Sequence, residues 1–131
     1  MKKITLLLST LVFSLTVFSS SSYAEWTEVK ENVKGTVFYV DFERIRKHDG
    51  YVYWWDLGDY LKPSNQGNLS LKIYKQGDCK FFRFKYLSMS LHKEPMGGGT
   101  GKTITPPDKW EYPPPDSVDE YVLETVCAYA D

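Results

Sequence analysis

The feature that most constrains the fold is the alternation of apolar and polar side chains in several separate stretches. Such stretches occur at residues 33–41, 51–57, 69–76 and 79–93, and residues 101–105 begin a further short one. A period of two places successive side chains on opposite faces of a β-strand. The stretches also hold many of the 4 Trp, 10 Tyr and 7 Phe, residue types that favour strands. The sequence therefore predicts a domain built mainly from β-strands.

The alternation also indicates how single strands are placed. Residues 51–57 are aromatic on both faces, which predicts a central strand. In residues 69–76, Leu69, Leu71 and Ile73 alternate with Ser70, Lys72 and Tyr74, as in a half-buried strand. In residues 79–93 the apolar side chains occupy even positions up to Tyr86 and odd positions from Leu87. Such a phase change predicts a bulge or a kink near Tyr86.

Turn-forming residues separate these stretches. Residues 42–50 form a polar connection that ends on Asp49-Gly50, and residues 58–68 collect Pro, Ser, Asn and Gly. The sequence MGGGTGKT at residues 96–103 resembles a phosphate-binding loop, but Met96 stands where the first Gly is required. The prolines that follow also exclude the helix that such a loop needs. We expect a glycine-rich turn between two strands instead.

The C-terminal region predicts an extended segment followed by a helix. Residues 106–116 contain too many prolines for a helix or a central strand, so we expect them to cross the domain in extended form. Ser117 and Glu120 form a capping box. After it, Val118, Val122 and Val126 recur on one helical face, which is predicted to pack on the sheet.

The N-terminus has the order of a secretory signal peptide. Lys2 and Lys3 precede an apolar run at residues 4–18, and small residues stand at Ser22 and Ala24. An uncleaved anchor is the alternative, but a bilayer span needs about 20 apolar residues. We expect cleavage after Ala24, which leaves residues 25–131 as one small domain with no membrane span.

The net charge excludes some partners. The formal charge is −1, and it becomes −3 when the two N-terminal lysines are removed. So small an acidic excess argues neither for nucleic acid nor for an acidic surface as a partner, and we expect no nucleic acid to bind.

The chain contains two cysteines, Cys79 and Cys127. In an exported protein two cysteines predict a disulfide. A bond that closes a loop of this length could contribute roughly 4 kcal/mol.

Groups that could carry catalysis or hold a metal are sparse. We expect both His48 and His92 to be solvated surface residues, because no second ligand stands at metal-binding spacing. Asp41, Asp56 and Asp59 could be imagined as paired carboxylates, but aspartates beside strands usually shape turns. We therefore expect no enzyme, no metal and no cofactor.

The aromatic residues and one basic turn are the candidates for binding. Trp26, Trp54, Trp55 and Trp110 are expected to be mostly core, although some could be exposed on a recognition surface. The charged edge of such a surface would be the basic turn, Arg44, Arg46, Lys47 and His48.

A series of short motifs resembles the surface-adhesin protein E family of Gram-negative bacteria. The matching residues are Trp26, Val29, Tyr39, Val40, Asp41, Ile45, Arg46, Gly50, Trp55, Leu57, Asp59, Tyr60, Ser70, Lys72, Asp78, Cys79, Arg83, Met96, Gly97, Trp110, Ser117, Glu120 and Cys127. The resemblance covers nearly the whole chain after the signal peptide.

This resemblance implies an α+β fold in which a C-terminal helix is tied to an antiparallel sheet by the disulfide. It also implies an envelope or surface protein that binds host extracellular-matrix glycoproteins such as vitronectin and laminin, with plasminogen as a further candidate. A periplasmic small-molecule binder, for example for haem, and an enzyme with a scattered site are the alternatives. The exposed sheet edges could also pair with a second copy to give a homodimer.

Overall fold

The structure, a computed structural model, describes residues 24–131. Of the expected signal peptide, residues 1–23 lie outside this described part. The strands are β1 (Thr27–Glu31), β2 (Val37–Val40), β3 (Arg46–His48), β4 (Tyr51–Asp59), β5 (Ser70–Asp78), β6 (Arg83–His92) and β7 (Gly101–Ile104). They are followed by the helix α1 (Val118–Ala130).

All strand pairs of the described chain are antiparallel and form one seven-stranded sheet. The order is β1-β2-β4-β5-β6-β7, and β3 also pairs with β4, beside its first residues. The expected α+β architecture, a single small domain with a helix tethered to an antiparallel sheet, is confirmed. The expected central position of the strand at residues 51–57 is also confirmed, since β4 has neighbours on both sides.

The helix begins at the capping box that the sequence predicts. The Ser117 hydroxyl accepts a hydrogen bond from the Glu120 amide at 3.1 Å, which satisfies one free amide of the first turn. The Glu120 carboxylate in turn accepts from the amide of Asp116 at 3.2 Å. These two contacts fix where the chain enters α1.

The core lies between α1 and one face of the sheet, which we call the helix face. It consists of Val40, Val52, Trp54, Phe84, Val122, Leu123 and Val126, all buried. Cys79, in the turn after β5, is bonded to Cys127 in α1. The predicted disulfide is thus confirmed, and it holds the C-terminal half of the helix to the sheet.

The long strand is shorter than the sequence predicts, but it bends where expected. Residues 79–82 form a turn, in which Phe82 has a φ of 54°, so that β6 begins at Arg83. Tyr74 pairs with Ser88 and Lys75 pairs with Tyr86, which leaves Leu87 as an extra residue in β6. The predicted bulge near Tyr86 is confirmed.

Two short strands lie where the sequence predicted none. β1 was not predicted, and the expected strand at residues 33–41 begins only at Val37 because a turn precedes it. In that turn the Asn32 side chain accepts hydrogen bonds from the amides of Lys34 and Thr36, both at 3.0 Å. β3 lies within the expected polar connection at residues 42–50, and the predicted Asp-Gly turn joins it to β4.

The glycine-rich segment is a turn between β6 and β7, as expected. Its amides bind protein side chains: the amide of Met96 donates to Asp59 Oδ1 and that of Gly97 to Ser70 Oγ, both at 2.8 Å. The loop therefore covers one end of the sheet face opposite the helix. The proline-rich segment forms an isolated antiparallel bridge between Glu111 and Phe84.

Candidate binding face

The sheet face opposite α1 carries a row of aromatic side chains from two neighbouring strands. Trp55 of β4 lies directly opposite Tyr74 of β5, and their ring centroids are 4.9 Å apart. Tyr53, one position along the same face, stacks on Tyr74 with centroids 6.2 Å apart. Such cross-strand aromatic contacts stabilise a sheet by several tenths of a kcal/mol to about 1 kcal/mol. The three rings therefore form a fixed cluster.

The proline-rich segment extends this row. Two backbone hydrogen bonds between Glu111 and Phe84, of 2.7 and 3.0 Å, fix the segment beside β6. The neighbouring Trp110 then contacts Tyr51, with ring centroids 5.6 Å apart. We call the surface formed by Tyr51, Tyr53, Trp55, Tyr74 and Trp110 the open face. All five side chains are partly exposed.

Basic side chains lie over the Trp110 end of the open face. The Arg83 guanidinium lies 4.2 Å and the Lys85 ammonium 4.7 Å from the Trp110 ring centroid, within the range of cation–π attraction. Arg83 is held by Asp78 at 2.9 Å, and Lys85 by Asp108 at 2.9 Å. The combination of Trp, Tyr and Arg is typical of recognition surfaces.

The structure divides the basic turn that the sequence singled out. Arg46 lies opposite Tyr53 and His48 lies opposite Tyr51, so both share the side of the open face. Lys47 lies opposite Val52 and therefore points to the helix face. Arg44 is in a single 3₁₀ turn, Phe42–Arg44, with its Nε 3.4 Å from Asp41 Oδ2. Lys47 therefore lies on the opposite face from Arg46 and His48.

One of the three aspartates considered as paired carboxylates belongs to a buried ion cluster instead. Asp56 lies 2.6 Å from the ammonium of Lys75, accepts a hydrogen bond from Trp54 Nε1 at 2.5 Å, and lies under the start of α1. Asp119 lies 3.2 Å from the same ammonium. Burial favours the neutral form of Lys75, but the two carboxylates outweigh this effect and raise the pKa of Lys75 above its ordinary value. At Asp56, burial outweighs the contacts with Lys75 and Trp54 and raises the pKa of that carboxyl above its ordinary value. The cluster joins the helix to the sheet.

His92 corrects a prediction from the sequence. It is 3 % exposed and not a surface residue, because the glycine-rich turn folds over it. One ring nitrogen contacts Ser90 Oγ at 2.8 Å and the other contacts the Gly98 carbonyl oxygen at 3.1 Å. His48 is exposed as expected and lies 3.1 Å from Asp49. Of the four tryptophans, only Trp54 is fully buried in the core; the other three are half-buried.

Tyr74, Arg83 and Lys85 were not singled out as binding candidates from the sequence. The alternation in residues 69–76 already placed Tyr74 with the polar side chains, and this is the signal that could have identified it. No local signal identifies Arg83 or Lys85, because Trp110 reaches them from a distant part of the chain.

A concave region lies beside the β3–β4 turn. It has a volume of about 410 Å³ and is lined by Lys47 to Val52, the disulfide, and the end of α1.

Among the described residues, no group of three His, Cys, Asp or Glu side chains is placed to hold a metal ion. No helix within residues 24–131 is long and apolar enough to cross a membrane.

Comparisons with known proteins agree with this architecture. The sequence profile of the family described as "Surface-adhesin protein E" matches residues 26–128. A crystal form II structure of Haemophilus influenzae protein E is similar with a TM-score of 0.61 and 18 % identity, over 85 % of this chain and 94 % of that one. Protein E from non-typeable Haemophilus influenzae is similar with a TM-score of 0.56 and 16 % identity, over 83 % of this chain and 79 % of that one. At these identities the likeness shows a shared fold. No curated protein sequence matches the chain.

Proposed function

Because this chain belongs to the surface-adhesin protein E family, we propose that it is an exported, non-enzymatic binding protein for host extracellular-matrix glycoproteins of the vitronectin or laminin type. The open face is the binding surface in this proposal. Export would follow from the signal peptide at residues 1–24, and residues 25–131 would be the binding domain.

The observation that carries the proposal is the row of five partly exposed aromatic side chains on the open face. Each ring contacts another ring of the row, so the side chains lose little conformational freedom when a partner binds. Rigid Tyr and Trp side chains supply much of the binding free energy at protein interfaces. The other sheet face is covered by α1.

The basic residues around the row favour a partner that is acidic at the point of contact. Arg83 and Lys85 lie at one end of the row, and Arg46 and His48 lie along its β3 side. Such charges mainly increase the association rate and the salt dependence of binding. Within the basic turn, Arg46 and His48 are therefore expected to contribute to binding, whereas Lys47 is not.

Binding of the purified domain to immobilised vitronectin and laminin at physiological salt tests the proposal. We expect saturable binding, and Tyr74→Ala should weaken it at least about tenfold, because Tyr74 contacts two other rings of the row. The matched control is Tyr121→Ala, which removes an exposed ring on α1 and should leave the affinity unchanged. Absence of saturable binding to either glycoprotein, or equal losses in both variants, would contradict the proposal.

The concave region beside the β3–β4 turn supports a second candidate, a periplasmic small-molecule binder. Its volume of about 410 Å³ lies within the range of small-ligand sites, and His48 and Tyr51 line it. Haem is the ligand to test first. If titration of haem with the protein causes no shift of the Soret band, haem binding is excluded. Protection of the protein from protease on intact cells, with cleavage after permeabilisation of the outer membrane, would favour this candidate over the adhesin.

A further inference from the structure

A small cavity lies at the start of β1, at the end of the open face where Trp55 is. Its volume is about 160 Å³, and it is lined by Ala24, Trp26, Asp41, Arg44, Trp55 and Lys72. The cavity therefore combines indole rings, one carboxylate and two cations with the first described residue of the chain.

Asp41 is the unusual member of this group. Asp41 is only 1 % exposed, yet neither of its carboxylate oxygens accepts a hydrogen bond from the described residues. Arg44 Nε is 3.4 Å from Oδ2, and because the side chain of Arg44 is 44 % exposed, solvent screening weakens this ion pair. A buried carboxylate is strongly destabilising unless it is paired and hydrogen-bonded. Asp41 therefore has the capacity to bind a further charged donor.

The strand register brings the start of the chain to this carboxylate. Thr27 pairs with Val40, so Trp26 lies beside Asp41 and the preceding residues run along the cavity. Ala24 forms part of the wall, and its carbonyl carbon is bonded to the backbone nitrogen of Glu25. That nitrogen is therefore one bond away from a residue of the cavity wall.

Removal of the signal peptide would convert the backbone amide nitrogen of Glu25 into a free amine. Hydrolysis of the bond between Ala24 and Glu25 consumes one water; Ala24 leaves as a carboxylate, and the nitrogen of Glu25 becomes an amine. An α-amino group, with an ordinary pKa of about 7.7–8.0, is mostly protonated at neutral pH. Cleavage would thus replace an uncharged amide and the side chain of Ala24 with an ammonium group that has three donors.

We propose that the cavity is a binding site for a primary ammonium group, and that its occupant in the exported protein is the α-ammonium of Glu25 paired with Asp41. This inference rests on the proposed export and on cleavage after Ala24. The pair anchors the start of β1, the outermost strand on its side of the sheet, and completes the wall that Trp26 and Trp55 share. Processing therefore stabilises the domain and fixes one end of the open face, because a group that binds only the folded state shifts the folding equilibrium.

The experiment removes the charge without changing the length of the chain. The exported Glu25→Gln variant, confirmed by N-terminal sequencing, is compared before and after treatment with glutaminyl cyclase, which converts an N-terminal glutamine into uncharged pyroglutamate. With Asp41 present, we expect cyclisation to lower Tm by about 4–8 °C. In the Glu25→Gln/Asp41→Asn background, cyclisation should change Tm by less than about 1 °C, because the two changes are coupled only through the pair.

The inference is overturned by equal Tm shifts in both backgrounds, by no shift in either, or by an exported chain that does not begin at residue 25. If Asp41→Asn does not fold, the rate of α-amine acylation in the wild type decides. We expect it to be at least about tenfold slower in the folded protein than in urea, since a paired ammonium is protonated and shielded; equal rates overturn the proposal. These readouts need no ligand, so the failure of glycoprotein binding would be a separate result.

Discussion

Asp78 links the end of β5 to the turn that carries Cys79. Its Oδ1 accepts hydrogen bonds from the amides of Lys80 and Phe81, both at 3.1 Å, and its Oδ2 accepts from Arg83 Nε at 2.9 Å. Burial raises the pKa of Asp78, but these hydrogen bonds and the Arg83 charge outweigh it, so that the pKa lies below its ordinary value. A single side chain thus supports both the turn beside the disulfide and a cation of the open face.

Asp78→Ala should therefore lower the free energy of unfolding near pH 7 by about 2–3 kcal/mol, because two amides and Arg83 lose their acceptor. A lowered pKa contributes stability above the ordinary value, 3.8, that is lost as the pH falls through the folded-state value. The difference between wild type and variant should consequently narrow when urea unfolding is repeated at about pH 3.

The control for this prediction is Asp108→Ala. The Asp108 side chain pairs with Lys85 but is 85 % exposed, so its loss should change stability by less than about 0.5 kcal/mol. If the loss in free energy of unfolding caused by Asp78→Ala were as large at about pH 3 as near pH 7, the stabilising role of the ionised Asp78 carboxylate would be contradicted.

Single residues were predictable from the sequence where their partners are near in the chain. The Ser117 cap depends on a residue three positions away, and the cysteine pair was the single pair available to an exported chain. The burial of Lys75 could not be predicted in this way. One of the carboxylates that stabilise its buried charge is Asp119, which lies 44 residues further along the chain. His92 was predicted wrongly for a different reason: its burial depends on the glycine-rich turn that folds over it, and the local pattern does not show the path of that turn.

At the scale of elements, the long strands were predictable and the short ones were not. β4, β5 and β6 bury one face, so their alternation appears in the sequence. β1 and β3 are almost entirely exposed, and no apolar pattern marks them. They form because the edges of β2 and β4 offer backbone hydrogen bonds. The open face has a similar origin, since β4, β5 and the proline-rich segment beside β6 must come together before its aromatic row exists.

Gly77 provides a test of how closely α1 packs on the sheet. A Cβ at this position would lie 2.7 Å from Trp54, 3.0 Å from Val52 and 3.1 Å from Leu123. Gly77→Ala should therefore reduce the free energy of unfolding by about 1–3 kcal/mol, because core atoms must move. Thermal or urea unfolding measures this change.

Gly58→Ala is the matched control, since Gly58 lies on the same face of the neighbouring strand β4. Its added Cβ would be 3.4 Å from the nearest atom, in Phe38, which is ordinary contact. We expect a loss below about 1 kcal/mol. Equal losses in the two variants would show that the helix does not pack on Gly77 as described.

At the scale of the whole molecule, the two faces of the sheet have different structural roles. The helix, the disulfide and the Asp56–Lys75–Asp119 cluster stabilise the helix face. The open face keeps its aromatic row partly exposed, and the proposed ammonium site lies at one end of it. A rigid domain of this kind can present a preformed binding surface without a change of shape.

We propose that the open face binds matrix glycoproteins from the surface of the cell. The most direct test measures the binding of labelled vitronectin and laminin to intact cells that carry wild-type protein, Tyr74→Ala or Tyr121→Ala at equal amounts. The account predicts strong binding to cells with wild type and Tyr121→Ala, and a loss of at least about tenfold with Tyr74→Ala. Equal binding to all three, or binding that appears only after the outer membrane is permeabilised, would contradict it.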